Sequence, residues 1–370
     1  MDLTFSLMTT IEVLGFLQGV ILGTVLLIAN FDRSKSKLLL AIFILTYALG
    51  LFPGIVTELG FMTSYFDGAF EIVNMSWLFF PLFYGYVQNV SILSEKIEWW
   101  PLRLGIGLML LEMISFFVLK DYSYQLTAYI LNLIFYVIFD LIIAFKIIWF
   151  VRRHVKELKN QYSSIENREL LWARNFALIG IGYTFVASLV TIFFTEDIFY
   201  FTLSVINILL LYWVSLRGIF QQKVIPVIAE KALKKNLSTE SRNEKEIGSS
   251  TTILESEMNS VISGAKNYLI QTEVYTKPDL TIRDVSTALD IHSRHLSSCI
   301  NQCLKINFNA FINNFRIEKA KAMLKEKKFS HLSVEGIGLE VGFKSRSTFY
   351  AAFKRETGTT PSEYRRKNSN

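Results

Sequence analysis

Two histidines and two cysteines near the end of the chain are the residues whose types and spacing best suit a metal ion. His292, His295, Cys299 and Cys303 follow one another at intervals of 3, 4 and 4 residues. Four ligands along one straight helix span too great a distance for a single tetrahedral ion. We therefore expect no metal and no cofactor, and we expect the two cysteines to be reduced packing residues.

The remaining candidates for catalysis are few. All four histidines lie outside the long apolar runs of the sequence, which excludes an intramembrane Ser/His pair and a histidine-ligated membrane metalloprotease. The sequence contains no GxxxxGK[ST] phosphate-binding motif and no kinase-like nucleotide signature. The chain is therefore not expected to be an enzyme.

Two carboxylates interrupt apolar runs. Glu112 and Asp140 lie well inside segments that are otherwise uncharged. An unpaired carboxylate in hydrocarbon costs about 3 kcal/mol, so each side chain should face other helices or be protonated. One interpretation is a structural hydrogen bond to Asn132, Asn207 or a Ser/Thr hydroxyl, and the other is a site that senses a signal or an ion.

The first 216 residues predict an all-α bundle of seven transmembrane helices. The chain is 51% hydrophobic, which is too apolar for one soluble globule. About 20 apolar residues cross the hydrocarbon layer of a bilayer. The predicted spans are residues 11–31, 38–57, 72–94, 102–119, 124–148, 175–195 and 198–216.

Charges in the loops predict the orientation of these spans. The loops after odd-numbered spans contain nearly all the lysines and arginines of this half, whereas those after even-numbered spans contain only Lys120. Cytoplasmic loops carry such an excess. We expect a multi-pass protein of the cell inner membrane with its N-terminus outside and its C-terminal half in the cytoplasm.

The second half is polar and basic, and it contains the excess of Lys and Arg that gives the chain its net charge of +6. Residues 217–253 are rich in Ser, Thr, Asn, Glu and Lys and predict a flexible linker. Leu254, Met258, Val261, Ala265 and Tyr268 then recur at helical spacing. This stripe predicts a helix packed on the following domain, with a dimer seam as the alternative.

The region 254–370 predicts two helix-turn-helix units. In the first unit, helices over 281–289 and 293–303 flank a turn at 290–292. In the second, helices over 334–341 and 345–357 flank a turn at Gly342 and Phe343. A longer helix over 309–326 joins the units, and each second helix is expected to enter a major groove.

This region resembles the DNA-binding domain of AraC/XylS-type transcription regulators over roughly residues 265–366. The stretches that carry the resemblance are YTKPDLTI (275–282), NFNAFINNFRIEKAKAMLK (307–325) and EVGFKSRSTFYAAFKRETGTTPSEYRR (340–366). Seven spans ahead of such a domain, with FFPLFYGY (79–86) in the third, resemble the membrane-embedded branch of that family.

The resemblance implies a set of DNA-contacting residues. The sequence also departs from the family pattern at two positions. Asp290 stands where the family usually has a turn glycine, and Gly338 replaces a small alanine, which predicts some strain in the first turn and a softer second unit. The implied base-reading residues are Arg294, Ser297, Ser298, Arg346, Ser347, Thr348 and Ala351. Four further cations are expected to contact phosphates or to form a solvated face, namely Arg316, Lys344, Lys354 and Arg355.

These observations favour a membrane-bound one-component transcription regulator. Its expected partners are promoter DNA, the lipid bilayer, a second copy of the chain in a homodimer and an unidentified signal, with RNA polymerase as a further candidate. Coupling could pass through the seventh span and linker or through the basic segment 146–174. The alternatives are a receptor or transporter whose basic domain docks a protein or the anionic membrane surface, and a bundle that is only a passive anchor.

Overall fold

The computed structural model of the chain describes residues 7–31, 33–52, 55, 74–93, 96–118, 122–193, 197–221 and 251–368. Among these residues the chain is all-helical, with one isolated antiparallel bridge between Tyr162 and Thr281 in place of a sheet. Contacts divide the chain into two compact units. The first comprises Met1–His154 and Leu170–Val224, and the second comprises Val155–Glu169 and Ile225–Asn370.

In its described part, the first unit is built from seven α-helices. A 3₁₀ turn, Met75–Leu78, precedes the third of them. The helices are α1 (Leu7–Ile28), α2 (Lys35–Leu49), α3 (Phe79–Val90), α4 (Trp100–Val118), α5 (Tyr122–Gln161), α6 (Leu171–Phe193) and α7 (Asp197–Phe220).

Four of the described helices are long and apolar enough to cross a membrane. They contain the stretches Thr9–Ile28, Ile130–Gln161, Leu171–Val190 and Ile198–Phe220. Each predicted span overlaps one of α1 to α7, but α2 has 15 residues and α3 has 12, fewer than a full crossing needs. Residues 53–54, 56–57, 72–73, 94, 119 and 194–195 of the predicted spans lie outside the described residues. Seven spans therefore remain a prediction.

The first unit has an aromatic core and an apolar exterior. Phe83 packs against Phe43 and Phe176, with ring centroids 5.4 and 4.6 Å apart. Large apolar side chains such as Leu14 and Phe135 are exposed on its outer surface. A surface of this kind is expected of helices that face lipid.

The second unit contains seven further described α-helices. They are α8 (Thr251–Thr272), α9 (Ile282–Ala288), α10 (Ser293–Cys303), α11 (Phe308–Lys325), α12 (Val334–Glu340), α13 (Arg346–Thr357) and α14 (Pro361–Asn368). The helix-turn-helix pairs α9/α10 and α12/α13 lie within two residues of their predicted bounds, as does the joining helix α11. Of the predicted linker, residues 217–220 continue α7, residues 251–253 begin α8, and 222–250 lie outside the described residues.

Each helix-turn-helix pair has its own hydrophobic core, and α11 contributes to both. Leu296 and Ile300 of α10 pack with Phe311 of α11 in the first core. Phe349 of α13 packs with Ile317 of α11 in the second. The stripe of α8 packs on the first core, where Ala265 is fully buried and Met258, Val261 and Tyr268 are partly buried. This packing agrees with the interpretation that α8 belongs to the domain that follows it.

One stretch of the second unit comes from far upstream in the sequence. Helix α5 runs past the predicted span end at residue 148, and its last turns, from Val155 onward, belong to the second unit. Beyond Gln161 the chain forms a loop to Glu169. We call residues 155–169 the docking segment.

Candidate nucleic-acid interface

Both predicted recognition helices begin at a capped N-terminus and bury one face. At α10, the side chain of His292 accepts a hydrogen bond from the backbone N–H of Arg294, and Leu296 faces inward. At α13, the hydroxyl of Ser345 accepts from the backbone N–H of Thr348, and Phe349 faces inward. Such caps satisfy N–H groups that have no partner within the helix, and they fix where the helix starts.

The two turns each contain one residue in the left-handed backbone conformation, but the residue type differs. Asp290 has φ +53° and Gly342 has φ +101°, so both occupy the left-handed region. A Cβ at Gly342 would lie 2.5 Å from the carbonyl oxygen of Thr276, which only glycine avoids. Aspartate tolerates this conformation, and the first turn is kept as predicted.

The predicted base-reading residues lie on the outer faces of the two helices. Arg294, Ser298, Arg346, Ser347 and Ala351 are exposed. The other two are half-buried and already engaged locally: Ser297 accepts from Asn301 Nδ2, and Thr348 donates to the carbonyl of Ser345. Base contact itself remains a prediction for all seven residues.

Arg346 is exposed but held by its neighbours. Its Nε lies 3.2 Å from Oε1 of Glu335, and its guanidinium lies 5.0 Å from the ring centroid of Tyr350. The Tyr350 hydroxyl donates to the same Glu335 oxygen. Because the arginine is 68% exposed, these contacts orient it without removing it from solvent.

Three of the four predicted phosphate contacts are on the surface. Lys354 and Arg355 are exposed on α13. Lys344 precedes α13, and its Nζ lies 2.5 Å from Oδ1 of Asp279. Burial by itself would raise the pKa of Asp279, but the hydrogen bonds and charges of Lys344 and Arg168 outweigh burial and lower that pKa below its usual value.

Arg316 lies in the interior, which argues against its predicted phosphate contact. Its side chain is 1% exposed. Its guanidinium donates to the carbonyls of Tyr275 and Lys277 at 2.7 and 2.8 Å and to the hydroxyl of Ser163 at 3.1 Å. Burial lowers the pKa of Arg316 to about 10, so the group remains protonated at neutral pH. The guanidinium is therefore engaged inside the domain, where it is not exposed to a phosphate.

The sequence indicates that the basic segment 146–174 could touch the DNA-binding region, but it does not indicate which residues make the contact. Ser163 and Glu166, of the docking segment, both contact the helix-turn-helix region. Neither residue belongs to a recognisable motif. Their role depends on partners more than a hundred positions away, and nothing in the local pattern indicates it.

The two histidines and two cysteines at 292–303 form no cluster among the described residues. Cys299 is buried and Cys303 is partly buried, and both are free thiols. Nε2 of His295 lies 3.9 Å from Sγ of Cys299, while His292 caps α10. No group of three or more metal-binding side chains occurs within the described part of the chain.

In the first unit, the two carboxylates that interrupt the apolar runs differ in their surroundings. Asp140 is 1% exposed and accepts a hydrogen bond from the Thr184 hydroxyl at 3.3 Å, as the structural interpretation requires. Glu112 accepts from Nε1 of Trp77 at 2.6 Å, and it lines a cavity of about 410 Å³.

The cavity combines aromatic rings with polar side chains. Tyr47 stacks on Phe79 and donates its hydroxyl hydrogen bond to the side chain of Asn207. Among the described lining residues, Glu112 is the one carboxylate, and none is Lys, Arg or His. The other polar lining residues are Asn74, Ser76, Asn132, Tyr136, Tyr183, Thr184 and Ser188.

Comparisons with known proteins identify the C-terminal region. Residues 285–367 match a family model described as a helix-turn-helix domain. This match covers both recognition helices, α10 and α13. The region therefore contains a helix-turn-helix domain, and that part of the resemblance seen in the sequence is confirmed.

The similarity to curated relatives is confined to this C-terminal region, and it covers only a small part of each relative's own length. An uncharacterized HTH-type transcriptional regulator of Staphylococcus aureus (strain COL) is 32% identical over 93 residues, which is 25% of this chain and 12% of that protein. The melibiose operon regulatory protein of Escherichia coli (strain K12) is 28% identical over 87 residues, which is 24% of this chain and 28% of that protein. No solved structure matches the chain.

Proposed function

We propose that the chain is a membrane-bound one-component transcription regulator that binds specific double-stranded DNA. The observation that carries this proposal is the pair of capped helices, α10 and α13, each with an exposed arginine in its first turn. Residues near the N-terminus of a recognition helix contact base edges. The transcriptional role is supported by the relatives that share this domain, which are transcriptional regulators by name.

The roles of the residues follow from their chemistry. Arg294 and Arg346 present guanidinium forks that suit the two acceptors of guanine, and the exposed methyl of Ala351 suits thymine. Ser297, Ser298, Ser347 and Thr348 can bond to several base edges. Lys344, Lys354 and Arg355 fix the register on phosphates.

The first unit supplies the membrane anchor and the sensor in this proposal. Four apolar helices support insertion in the inner membrane, and the charge distribution of the loops supports an external N-terminus. The cavity beside Glu112 is the site we propose for the signal, because polar groups placed inside a membrane are usually functional. Asp140, bonded to Thr184, supports the helices around it.

The experiment uses the full-length protein in nanodiscs. Fragments of its own genome are retained on the protein at about 150 mM salt, where non-specific phosphate binding is weakened, and are then sequenced. A recurring motif is expected. Arg294→Ala and Arg346→Ala should each reduce its retention by about 5- to 150-fold, the range of one good base contact.

Lys266→Ala is the matched control. It also removes one exposed positive charge, but from α8, outside both helix-turn-helix pairs. It should leave the motif and its retention nearly unchanged. If wild type retains DNA with no motif, or if nanodiscs of anionic lipid abolish all retention, the basic domain serves another partner and the regulator proposal fails.

A further inference from the structure

The docking segment is attached to the helix-turn-helix region through its backbone. The N–H of Ser163 donates to the carbonyl of Leu280 at 3.0 Å, and its own carbonyl accepts from Nδ2 of Asn309 at 2.7 Å. The Ser163 hydroxyl accepts from the buried guanidinium of Arg316. Because these groups are buried and mutually satisfied, the segment occupies a defined place on the domain.

A second part of the segment reaches the start of the second recognition helix. The hydroxyl of Ser345, the N-cap of α13, donates to Oε1 of Glu166 at 2.8 Å. The same hydroxyl lies 3.0 Å from the hydroxyl of Ser347. Glu166 is therefore connected through the Ser345 hydroxyl to Ser347, a residue predicted to read bases.

The position of this carboxylate conflicts with a bound phosphate. The N-terminus of a helix carries a partial positive charge, and its N–H groups are a common site for phosphate. In a helix-turn-helix complex, the first turn of the recognition helix enters the groove, between the phosphate backbones. A glutamate at the cap occupies this position with a charge of the same sign as DNA.

The residue just before this cap, Lys344, is paired with a carboxylate of its own domain. Lys344 and Arg168 both contact Oδ1 of Asp279, at 2.5 and 3.2 Å. Arg168 belongs to the docking segment, and Lys344 is a predicted phosphate contact. The docking segment thus contacts Ser345 directly through Glu166, while its Arg168 shares Asp279 with Lys344.

We propose that the docking segment is an internal competitor of DNA for the second recognition helix. Glu166 must leave Ser345 before α13 can be inserted fully into a groove. The segment continues directly from α5, so a change in that helix can release or reinforce the contact. This inference rests on the proposed DNA-binding function and adds the direction of control, since the docked segment lowers affinity.

The test compares wild type, Glu166→Gln and Glu157→Gln as full-length proteins in nanodiscs, binding a DNA fragment selected as described above. Glutamine keeps the shape of Glu166 and a hydrogen-bond acceptor but removes the charge. Glu166→Gln should bind the fragment about 5-fold more tightly at low salt, the effect of one charge at a helix terminus, and the gain should shrink as salt rises.

Glu157→Gln is the control within the same segment. The Glu157 carboxylate accepts hydrogen bonds from Asn160 and Gln161 of its own helix. Its neutralisation should leave the affinity at the wild-type value. Equal affinity of wild type and Glu166→Gln, or an equal gain in both variants, would refute competition at Ser345. If none of the three proteins binds a specific fragment, the DNA-binding function fails, and the competition fails with it.

Hydrogen exchange gives a second readout that does not depend on a variant. The amide of Ser163 is protected by its bond to Leu280 in the docked state. Saturating wild-type protein with the DNA fragment should speed exchange in peptides that cover residues 162–168. If these peptides exchange at the same rate or more slowly when DNA is bound, the segment stays docked and the proposal is wrong.

Discussion

At the scale of single residues, Arg316 connects three stretches of the second unit. Its acceptors lie in the docking segment and in the turn before α9, as far as 153 positions away in sequence. A buried cation of this kind is tolerated only when its N–H groups are satisfied. Removing it leaves several buried oxygens without donors, each at a cost of about 1 to 3 kcal/mol.

We expect Arg316→Met to destabilise the second unit by about 3 kcal/mol. The measurement is the urea dependence of hydrogen exchange in peptides of 251–368, made on the full-length protein. Arg366→Met is the control, because Arg366 is exposed on α14. Equal urea dependence in the two variants would show that the buried hydrogen bonds contribute little.

The residues of the predicted interface could be placed from the sequence, but Arg316 could not. Helical spacing puts Arg294, Ser298 and Arg346 on the polar side of their helices, and they are exposed there. An arginine on α11 would ordinarily be expected at the surface, because arginine is rarely fully buried. Its burial depends on carbonyl oxygens brought close only by the tertiary fold.

At the scale of elements, the close approach of α12 and α13 depends on a missing side chain. Gly338 was expected to weaken α12 through its low helix propensity. A Cβ at this position would lie 2.7 Å from Cδ1 of Phe349, so the glycine allows the recognition helix to pack directly on α12. We expect this close packing to compensate for the lower helix propensity of glycine.

Gly338→Ala should therefore destabilise the second unit by about 1 to 3 kcal/mol through overpacking. Gly264→Ala is its counterpart in α8, where a Cβ would meet no atom within 4 Å. That variant should gain about 1 kcal/mol from helix propensity. Thermal or urea unfolding of the two variants would give opposite shifts, and a stabilising shift for Gly338→Ala would contradict the packing argument.

Local rules predicted the ends of short helices well because caps lie next to the helices they start. Thr281 forms a capping box with Asp284 at the start of α9, and Ser345 caps α13. The predicted fifth span ends at residue 148, where charged residues follow Trp149, but helix α5 continues to Gln161. Charged residues can end a predicted span without ending the helix that contains it.

At the scale of the whole molecule, the cavity of the first unit predicts the charge of its ligand. Its described lining offers one carboxylate, Glu112, several aromatic rings and no cationic side chain. Such a lining favours a small organic cation with an apolar body, since rings and a carboxylate both attract positive charge. The volume of about 410 Å³ suits a small molecule.

Hexyltrimethylammonium should raise the melting temperature of the full-length protein in nanodiscs, as any ligand of the native state does. Hexyl sulfate, of similar size and opposite charge, should not. Glu112→Gln should remove the shift, whereas Glu98→Gln, which changes a carboxylate outside the cavity lining, should retain it. An equal effect of the two amphiphiles would indicate unspecific partitioning into lipid.

The number of membrane crossings is harder to predict from sequence than the presence of long apolar helices. Composition identifies apolar helices, and four of those described meet the length for a crossing. Helices α2 and α3 are shorter than their apolar runs. Hydropathy does not distinguish a full crossing from a shorter buried helix, because both are apolar.

The second unit is assembled from two stretches of sequence with α6 and α7 between them. A gene fusion made at the linker would transfer α8 to α14 but leave Ser163 and Glu166 behind. Under the proposed function, the recipient would acquire the DNA-binding helices without the segment proposed to compete with DNA, and Arg316 would lose one of its acceptors. A transfer that keeps the proposed control intact would have to move both stretches of sequence, so we expect the two stretches to be inherited together.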